Sequence, residues 1–361
     1  MAGFFKTTVY VAGVAGILFG CDGSKEDKAT SASPGNTIES TSQKDNPPGM
    51  VWIPGGEFTM GTNDPESYIY ERPAHRVRVD GFWMDITEVT NRDFKKFADA
   101  TGYVTTAELK PDWEQLKKQL PPGTPKPEDN VLVPGSLVFS PPAYAVSLND
   151  YSQWWSWQQG TNWKHPEGPG SSIDGKENFP VVHVSYDDAV AYCKWAGKRL
   201  PTEAEWEFAS RGGREGQRFS WGDEFNPDGH FMANTFQGVF PSTNSGDDGF
   251  AGSAPVKSFP PNDYGLYDMI GNCWEWTSDF YNVKYYEELA KKGLTVNPKG
   301  AEKSYDPNEP FSVKYVTRGG SFLCAENYCV NYRPSARQGS GFDSGMSHIG
   351  FRCVATTDMV K

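Results

Sequence analysis

The stretch that decides the fold is Pro180–Ala209, which consists of PVVHVSYDDAVAYCKWAGKRLPTEAEWEFA. It predicts a first helix after Ser185, because acidic residues occupy the first turn and Gly197 stands where a helix commonly ends in a left-handed residue. It predicts a second helix after Thr202, because Glu205 three residues later completes a capping box. Two strong helix signals therefore lie within one short stretch of the chain.

Outward from this stretch the signals are shorter. Residues 51–61, VWIPGGEFTMG, alternate apolar residues around a Gly-Gly turn and predict a β-hairpin, and Arg76–Asp85 predict a strand. A third helix is predicted over Asn91–Ala100, with Thr90 as its cap. From residue 212 onward the sequence shows only short apolar runs between turn signals.

The composition bounds the fold class and the partners. With 361 residues and 12 Trp the chain has ample core material, while 38 Gly and 27 Pro predict many turns and irregular loops. No internal repeat and no linker divides residues 49–357, so we expect one domain. A net charge of -12 argues against a nucleic-acid partner, because no basic stripe is available for phosphates.

The N-terminus resembles a targeting segment. Thr7–Gly20 carries no charge and is too short for an ordinary membrane span, but it suits the apolar region of a signal peptide. It leads into Leu18–Cys21, which resembles a bacterial lipobox, so residues 1–21 predict a lipoprotein signal peptide with Cys21 as the lipidated residue. The polar residues 22–48 then predict a flexible tether.

These N-terminal features predict a location in the bacterial cell envelope. The protein is expected to be lipid-anchored, on the periplasmic side or on the outer surface. The alternative is a plain secreted protein in which Cys21 is accidental. In both cases the domain lies outside the cytoplasm, where disulfides persist.

Near the C-terminus, Cys324 and Cys329 occur in RGGSFLCAENYC, residues 318–329. Thiolates are soft ligands that select Cu(I), zinc or iron–sulfur clusters, but the same pair can oxidise to an inert disulfide. The spacing alone favours the disulfide.

A set of motifs distributed along the chain bears a family resemblance. In chain order they are VWIPGGEFTMG, EVTN, NWKHPEGP, the stretch quoted first, YGLYDMIGNCWEW, RGGSF and GFRC. Together they resemble the landmarks of the formylglycine-generating enzymes, also called sulfatase-modifying factors, over about residues 49–356. The resemblance implies a single α+β domain that is related to C-type lectins and low in regular structure. Most of these motifs are scaffold, so they indicate the fold more firmly than the function.

The resemblance also implies a chemistry for the cysteine pair. Cys324 and Cys329 fall on the positions at which the family's oxidases bind Cu(I), so copper becomes the preferred interpretation. The implied reaction is the copper- and O₂-dependent oxidation of a cysteine in a C-x-P-x-R motif of a sulfatase to Cα-formylglycine. Ser321 and Tyr328 stand where the family places active-site hydroxyls, though each could equally be a packed turn residue.

The other cysteines have structural interpretations. Cys193 and Cys353 match a pair that forms a disulfide in family members, and closing so long a loop would contribute about 4–5 kcal/mol by chain entropy. Cys273 is then left without a partner and is interpreted as a small buried thiol.

The resemblance further implies two structural calcium sites, because carboxylates and carbonyls form the hard oxygen shell that Ca²⁺ prefers. Without it, each cluster would more often be a solvated acidic turn. The candidate ligands are, for the first site, Asn234, Thr235, Asp248 and Phe250 and, for the second, Asp268, Gly271, Cys273 and Glu275.

Substrate contacts are predicted at four residues. Trp163 and Trp274 are candidates to line a peptide groove, although either can be a core residue. Glu88 is a candidate to pair with the arginine of the substrate motif, and its alternative is a surface carboxylate. The chain also departs from the family: Ala325 replaces a common His, and His348, the fourth candidate, replaces an expected Asn.

The leading interpretation is therefore an oxidase that activates exported sulfatases, acting as a monomer on a sulfatase polypeptide with O₂. Its rival is a non-catalytic, lipid-anchored scaffold of the same fold, of the gliding-motility, secretion or carbohydrate-related type. A third class, iron-dependent formation of C–S bonds, is disfavoured because no His-rich iron motif precedes the domain.

Overall fold

A computed structural model describes residues 46–360 of the chain. The predicted signal peptide with Cys21, and nearly all of the predicted tether, lie outside these residues. All of the described residues belong to one structural unit. Within it, no helix has the length and apolar character needed to cross a membrane.

The regular elements are short and are separated by long irregular segments. The α-helices of the described residues are Asn91–Thr101 (α1), Trp113–Leu116 (α2), Tyr186–Trp195 (α3), Glu203–Arg211 (α4) and Tyr285–Lys292 (α5). The strands are Met50–Ile53 (β1), Gly56–Met60 (β2), His75–Val79 (β3), Phe82–Asp85 (β4), Gly135–Phe139 (β5), Trp155–Gln159 (β6), Gly238–Val239 (β7), Thr243–Asn244 (β8), Trp274–Phe280 (β9), Thr295–Val296 (β10), Lys314–Arg318 (β11), Arg337–Gly341 (β12), Ile349–Gly350 (β13) and Val354–Ala355 (β14). Single-turn 3₁₀ helices occur at Ile69–Glu71, Thr106–Glu108, Lys117–Gln119, Tyr151–Gln153 and Pro227–Gly229.

The strands form small sheets rather than one continuous sheet. The largest has the order β12-β11-β9-β13, in which β11 pairs antiparallel with both neighbours and β13 runs parallel to β9. Two three-stranded sheets have the orders β1-β4-β14 and β10-β3-β2, and β5-β6 and β7-β8 are separate pairs. Short mixed strands, few helices and abundant coil confirm the predicted α+β class.

The three predicted helices form where their caps indicate. The side chains of Thr90, Ser185 and Thr202 each accept a hydrogen bond from the backbone N–H three residues later, at the starts of α1, α3 and α4. Glu205 completes the capping box of α4 by accepting a bond from the backbone N–H of Thr202 at 2.8 Å. Gly197 has φ +69° just beyond α3, as a C-terminal glycine should. Helices α2 and α5 were not predicted.

The predicted hairpin across residues 51–61 is wrong. Strands β1 and β2 do not pair with each other: β1 pairs with β4, and β2 pairs with β3. The single strand predicted over Arg76–Asp85 is likewise divided into β3 and β4. At Gly55 a Cβ would lie 2.6 Å from the backbone of Val79, Asp80 and Gly81. The bend between β1 and β2 therefore packs directly against the bend between β3 and β4, which only glycine at position 55 allows.

The helices pack against the sheets through two main clusters of buried side chains. Around α1 and α3 the cluster contains Phe94, Phe97, Tyr192 and Phe351, whose rings meet at 5.3–6.4 Å. The second cluster packs α4 and α5 on β2 and β3. Aromatic side chains of this size supply much of the apolar burial that stabilises a fold with so little regular structure.

Helix α4 is held by buried ion pairs as well as by apolar packing. Glu203 accepts hydrogen bonds from Arg318 Nη1 at 2.9 Å and from Arg337 Nε and Nη2 at 2.6 and 2.8 Å. Glu207, one turn later, pairs with Arg318 and with Arg211. Both guanidinium groups that reach Glu203 are fully buried. The network therefore ties α4 to β11 and β12.

Replacing Glu203 by Gln is expected to lower the free energy of unfolding by about 3–5 kcal/mol, because it leaves buried guanidinium charge without its counter-charge. The measurement is chemical denaturation of the variant and the wild type.

The matched control is Glu287→Gln on the exposed face of α5, which should change the free energy of unfolding by less than about 0.5 kcal/mol. A loss at Glu203 no larger than that of the control would contradict a structural role for the network.

Candidate active site

A cleft of about 360 Å³ opens beside the cysteine pair and brings together residues that are far apart in the sequence. Its walls come from the turn after β11, from β6 with the turn before it, and from the segment before β13. The lining side chains include Trp154, Trp155, Phe240, Trp274, Ser321, Cys324, Tyr328, Cys329, Met346 and His348. Of the residues predicted to form the active site, most therefore meet in one cavity.

The RGGS motif forms a turn that only glycine fits. Gly319 and Gly320 have φ +97° and +74°, and a Cβ on Gly320 would meet the backbone of Asn331 at 3.0 Å. This turn is hydrogen-bonded to the Gly271–Asn272 turn: the backbone N–H of Gly271 donates to Gly319 O, and that of Phe322 donates to Asn272 O. The two turns together fix the start of the cysteine segment.

Cys324 and Cys329 lie side by side at the cleft, with their sulfur atoms 2.6 Å apart. Cys324 is 1% exposed, and burial raises the pKa of its thiol. The hydrogen bond with Cys324 lowers the pKa of the Cys329 thiol, and Asn331 Nδ2 donates to Cys329 Sγ at 3.2 Å. The thiolate character of the pair is therefore concentrated on Cys329.

The two predicted hydroxyls lie at the cleft in different ways. Ser321 is fully buried, and its Oγ accepts a hydrogen bond from the backbone N–H of Leu323 at 3.2 Å. Tyr328 is 38% exposed and stacks on Phe240 with ring centroids 4.4 Å apart. Burial raises the pKa of the Tyr328 phenol, so it is a hydrogen-bond donor at neutral pH.

Trp274 and His348 form another part of the same cleft. The backbone N–H of Trp274 donates to His348 O at 2.8 Å, where β9 meets β13. The imidazole of His348 packs on Trp155, with centroids 4.8 Å apart. Ala325, where the family commonly has His, is 1% exposed within an apolar cluster. The imidazole in this cleft is therefore supplied by His348.

Two predicted substrate contacts do not reach the cleft. Trp163 is 2% exposed in the core and packs edge-on against Phe94 at 5.2 Å, so it is a packing residue. Glu88 is 1% exposed, and its Oε1 accepts a hydrogen bond from Asn272 Nδ2 at 3.0 Å. Burial and the neighbouring Asp268 carboxyl raise the pKa of Glu88. Neither residue lines the cleft, so the structure favours the core alternative for Trp163 and a structural role for Glu88.

The first predicted calcium set comes together around one loop. Asp248 accepts hydrogen bonds from the backbone N–H groups of Thr235 at 2.9 Å and Phe250 at 3.1 Å. Asn234 is 1% exposed, and its Oδ1 has no hydrogen-bond partner among the described residues. A buried amide oxygen without a partner beside a carboxylate is a suitable pair of donors for Ca²⁺.

The second predicted calcium set is organised around an arginine. Both oxygens of Glu275 accept hydrogen bonds from Arg352 at 2.7 Å, and Oε2 also accepts one from Trp206 Nε1. Asp268 accepts one from the backbone N–H of Lys257. Because a guanidinium already neutralises Glu275, the first set fits Ca²⁺ better than this one does. Among residues 46–360, no group of three or more His, Cys, Asp or Glu side chains is arranged to hold a metal ion.

The remaining cysteines are buried away from the cleft. The sulfur atoms of Cys193 and Cys353 lie 2.9 Å apart as free thiols, and their disulfide stays a prediction. Cys273 is fully buried, and burial raises the pKa of its thiol. It is inert core material, which agrees with its interpretation from the sequence.

No role was predicted for Trp154 and Trp155, although both line the cleft. Strand β6, which begins at Trp155, pairs with β5, and β5 in turn receives the backbone N–H of Ser347 at Leu137 O. These bonds dock the β5–β6 pair beside His348. The adjacent tryptophans in YSQWWSW are the sequence signal from which this role could have been predicted, because large apolar side chains in a polar loop usually pack against another surface or line a binding site.

Comparison with known proteins agrees with this architecture. Residues 36–357 match the family described as sulfatase-modifying factor enzyme 1-like domain. The formylglycine-generating enzyme of Mus musculus is 47% identical over 85% of this chain and 74% of its own length. That of Mycobacterium tuberculosis is 45% identical over 85% of this chain and 97% of its own length. The solved structure of PvdO from Pseudomonas aeruginosa, at 25% identity, superposes with a TM-score of 0.54 over 85% of this chain and 94% of PvdO.

The fold and its cleft thus define a sulfatase-modifying factor domain. The chain belongs to the formylglycine-generating enzyme family. The family resemblance, the fold class and the interpretation as an enzyme of this class are confirmed.

Replacing Glu88 by Ala is expected to lower the free energy of unfolding by about 1–3 kcal/mol, because the buried amide of Asn272 loses the shorter of its two hydrogen bonds and keeps only the one to Ala254 O at 3.4 Å. The affinity for a C-x-P-x-R peptide should not change. Both quantities are measured, by denaturation and by fluorescence anisotropy. The comparison variant is Glu309→Gln, whose largely exposed carboxylate lines the cleft and whose stability should stay within about 0.5 kcal/mol of wild type. A loss of peptide affinity in Glu88→Ala without loss of stability would restore the substrate role.

Proposed function

We propose that this protein oxidises a cysteine in a C-x-P-x-R motif of a sulfatase to Cα-formylglycine, with Cu(I) at Cys324 and Cys329 and with O₂ as the oxidant. The observation that carries the proposal is the position of this thiol pair in a cleft that also contains Ser321, Tyr328 and Trp274.

The donor set suits copper. Two adjacent cysteine sulfurs offer soft ligands in the low number that Cu(I) accepts, and no third protein ligand is needed if the substrate thiolate supplies one. When bound, a copper ion supplies the electron transfer to O₂ that side chains cannot perform. The disulfide remains the alternative state of the same pair.

The residues around the pair contribute orientation and polarity. Asn331 Nδ2 donates to Cys329 Sγ, which favours the thiolate form that a metal requires. Trp274 and Phe240 line the cleft with apolar surface, which limits access of water to the reacting carbon. The Tyr328 hydroxyl and Ser321 Oγ belong to residues that line the cleft, and each can hold an oxygen-bearing group by a hydrogen bond. Placement of the substrate cysteine by these groups supplies much of the rate.

The decisive experiment incubates the Cu(I)-loaded protein with a C-x-P-x-R peptide and O₂. Mass spectrometry should show the exchange of sulfur and two hydrogens for one oxygen at the cysteine. Cys329→Ala should abolish the conversion, because one of the two thiolates that hold the ion is lost.

Cys273→Ala is the control, since it removes a thiol that is fully buried and does not line the cleft, and it should convert the peptide normally. If the wild type fails to convert the peptide and behaves like Cys329→Ala, the scaffold interpretation replaces this proposal.

We also propose a structural Ca²⁺ ion at the first predicted set. Asn234 Oδ1 and Asp248 would be its side-chain ligands, and the carbonyls of Thr235 and Phe250 would complete the shell. The unpartnered amide oxygen of Asn234 supports this assignment. The second set carries no such proposal, because Arg352 already neutralises Glu275.

Addition of CaCl₂ to chelator-treated protein is expected to raise the melting temperature, since a ligand that binds only the folded state stabilises it. Asp248→Asn should remove most of this rise. The control is Asp247→Asn at the exposed neighbouring residue, which should leave the calcium-dependent rise in melting temperature unchanged. Equal responses of the two variants would place the ion elsewhere.

The location is proposed from the sequence. We propose a lipid anchor at Cys21 and a place in the bacterial cell envelope, where the enzyme would meet sulfatases during export. The protein would act as a monomer.

A further inference from the structure

Two residues that line the cleft each have a buried polar atom with no hydrogen-bond partner among the described residues. One is Nδ1 of His348, a residue that is 6% exposed. The other is Nε1 of Trp154, a residue that is 1% exposed. Both residues line the cleft beside the cysteine pair. Leaving such an atom unpaired costs about 1–3 kcal/mol, so the fold retains two unfavourable features in one cavity.

Both side chains are held in place. The carbonyl of His348 accepts a hydrogen bond from Trp274, and its ring packs on Trp155. The carbonyl of Trp154 accepts one from the backbone N–H of Ser140 at 2.8 Å, and its ring meets Phe240 edge-on at 5.5 Å. These contacts restrict both side chains, so neither nitrogen atom reaches a hydrogen-bond partner by a large movement of its side chain.

The two atoms have complementary hydrogen-bonding character. The indole Nε1–H is a donor only. Burial and the nearby His183 lower the pKa of His348 to about 3, so its imidazole is neutral at physiological pH. A neutral imidazole whose proton is on Nε2 accepts a hydrogen bond at Nδ1. One donor and one acceptor on the same cleft match the alternating C=O and N–H groups of an extended peptide.

We infer that Trp154 Nε1 and His348 Nδ1 bind the main chain of the substrate polypeptide, the first at a carbonyl and the second at an N–H group. The inference rests on the proposed function, because it takes the ligand of the cleft to be a polypeptide. It assigns recognition of the backbone, which is independent of side chains, to the residues that directly precede β6 and β13. The Tyr328 ring, which is 38% exposed, lies edge-on to Trp154 with ring centroids 5.6 Å apart, at the position that such a ligand would approach.

The test is a binding measurement that needs neither copper nor turnover. The probe is a fluorescein-labelled peptide that contains C-x-P-x-R with its cysteine replaced by alanine, and anisotropy reports its affinity for the metal-free protein. His348→Phe keeps a ring for packing on Trp155, and Trp154→Phe keeps an apolar ring. Each should weaken binding by about 2- to 10-fold, the value of one neutral hydrogen bond. His348→Asn, which keeps an acceptor near Nδ1, should recover most of the affinity.

A second arm leaves the protein unchanged and methylates the peptide nitrogens one at a time. One position should lose about 2- to 10-fold in affinity for the wild type and nothing further for His348→Phe, because the bond is already absent. The exposed His230→Phe is the control and should respond as the wild type does. Near-UV circular dichroism confirms that each variant is folded.

The inference is overturned if the unmodified peptide does not bind the wild type, if His348→Phe binds it as tightly as the wild type does, or if every methylation affects the two proteins equally. Its failure is distinct from failure of the proposed function. Peptide that binds as expected but is never converted by the copper-loaded protein contradicts the oxidase alone. Peptide that is converted but binds His348→Phe normally contradicts this inference alone.

Discussion

The structure depends on the buried ion pairs between α4 and the central sheet. Glu203 and Glu207 lie one helical turn apart and receive the guanidinium groups of Arg318 and Arg337 from β11 and β12. Charges so deeply buried are tolerated only when every partner is in place, which makes the network a geometric constraint rather than a large net source of stability. Arg318 is also the first residue of the RGGS motif, so the same contact that anchors the helix positions the turn that leads to Cys324.

The cleft follows from that constraint. The turn after β11 is hydrogen-bonded to the Gly271–Asn272 turn, and the side chain of Asn272 donates in turn to the buried Glu88. A residue that resembles a substrate ligand in the sequence is thus a support for the segment that carries the cysteine pair. The other side of the cleft is formed by Trp154 and Trp155, at the start of β6. These residues lie more than 150 positions before the cysteines in the chain.

The accuracy of prediction from the sequence followed the range of the interactions involved. Caps and C-terminal glycines act within one helical turn, so α1, α3 and α4 were predicted correctly from residues such as Thr90 and Gly197. The hairpin was predicted wrongly because the Gly55–Gly56 turn pattern does not show whether the flanking strands pair with each other or with strands that arrive later. The sequence did not separate a core position for Trp163 from a groove position, because an aromatic residue has the same sequence signature in both.

The sequence by itself determined the family, the caps of three helices and the presence of two cysteines able to form a pair, because each depends on local chemistry or on a motif. Only the tertiary structure decided which polar groups are buried and which face the cleft. In the folded chain the buried Glu88 accepts a hydrogen bond from Asn272, and Glu275 pairs with Arg352. His348 Nδ1 and Trp154 Nε1, in residues that line the cleft, have no hydrogen-bond partner among the described residues. The reason is physical: solvent exclusion and the pairing of buried polar groups depend on segments that meet only after the chain has folded.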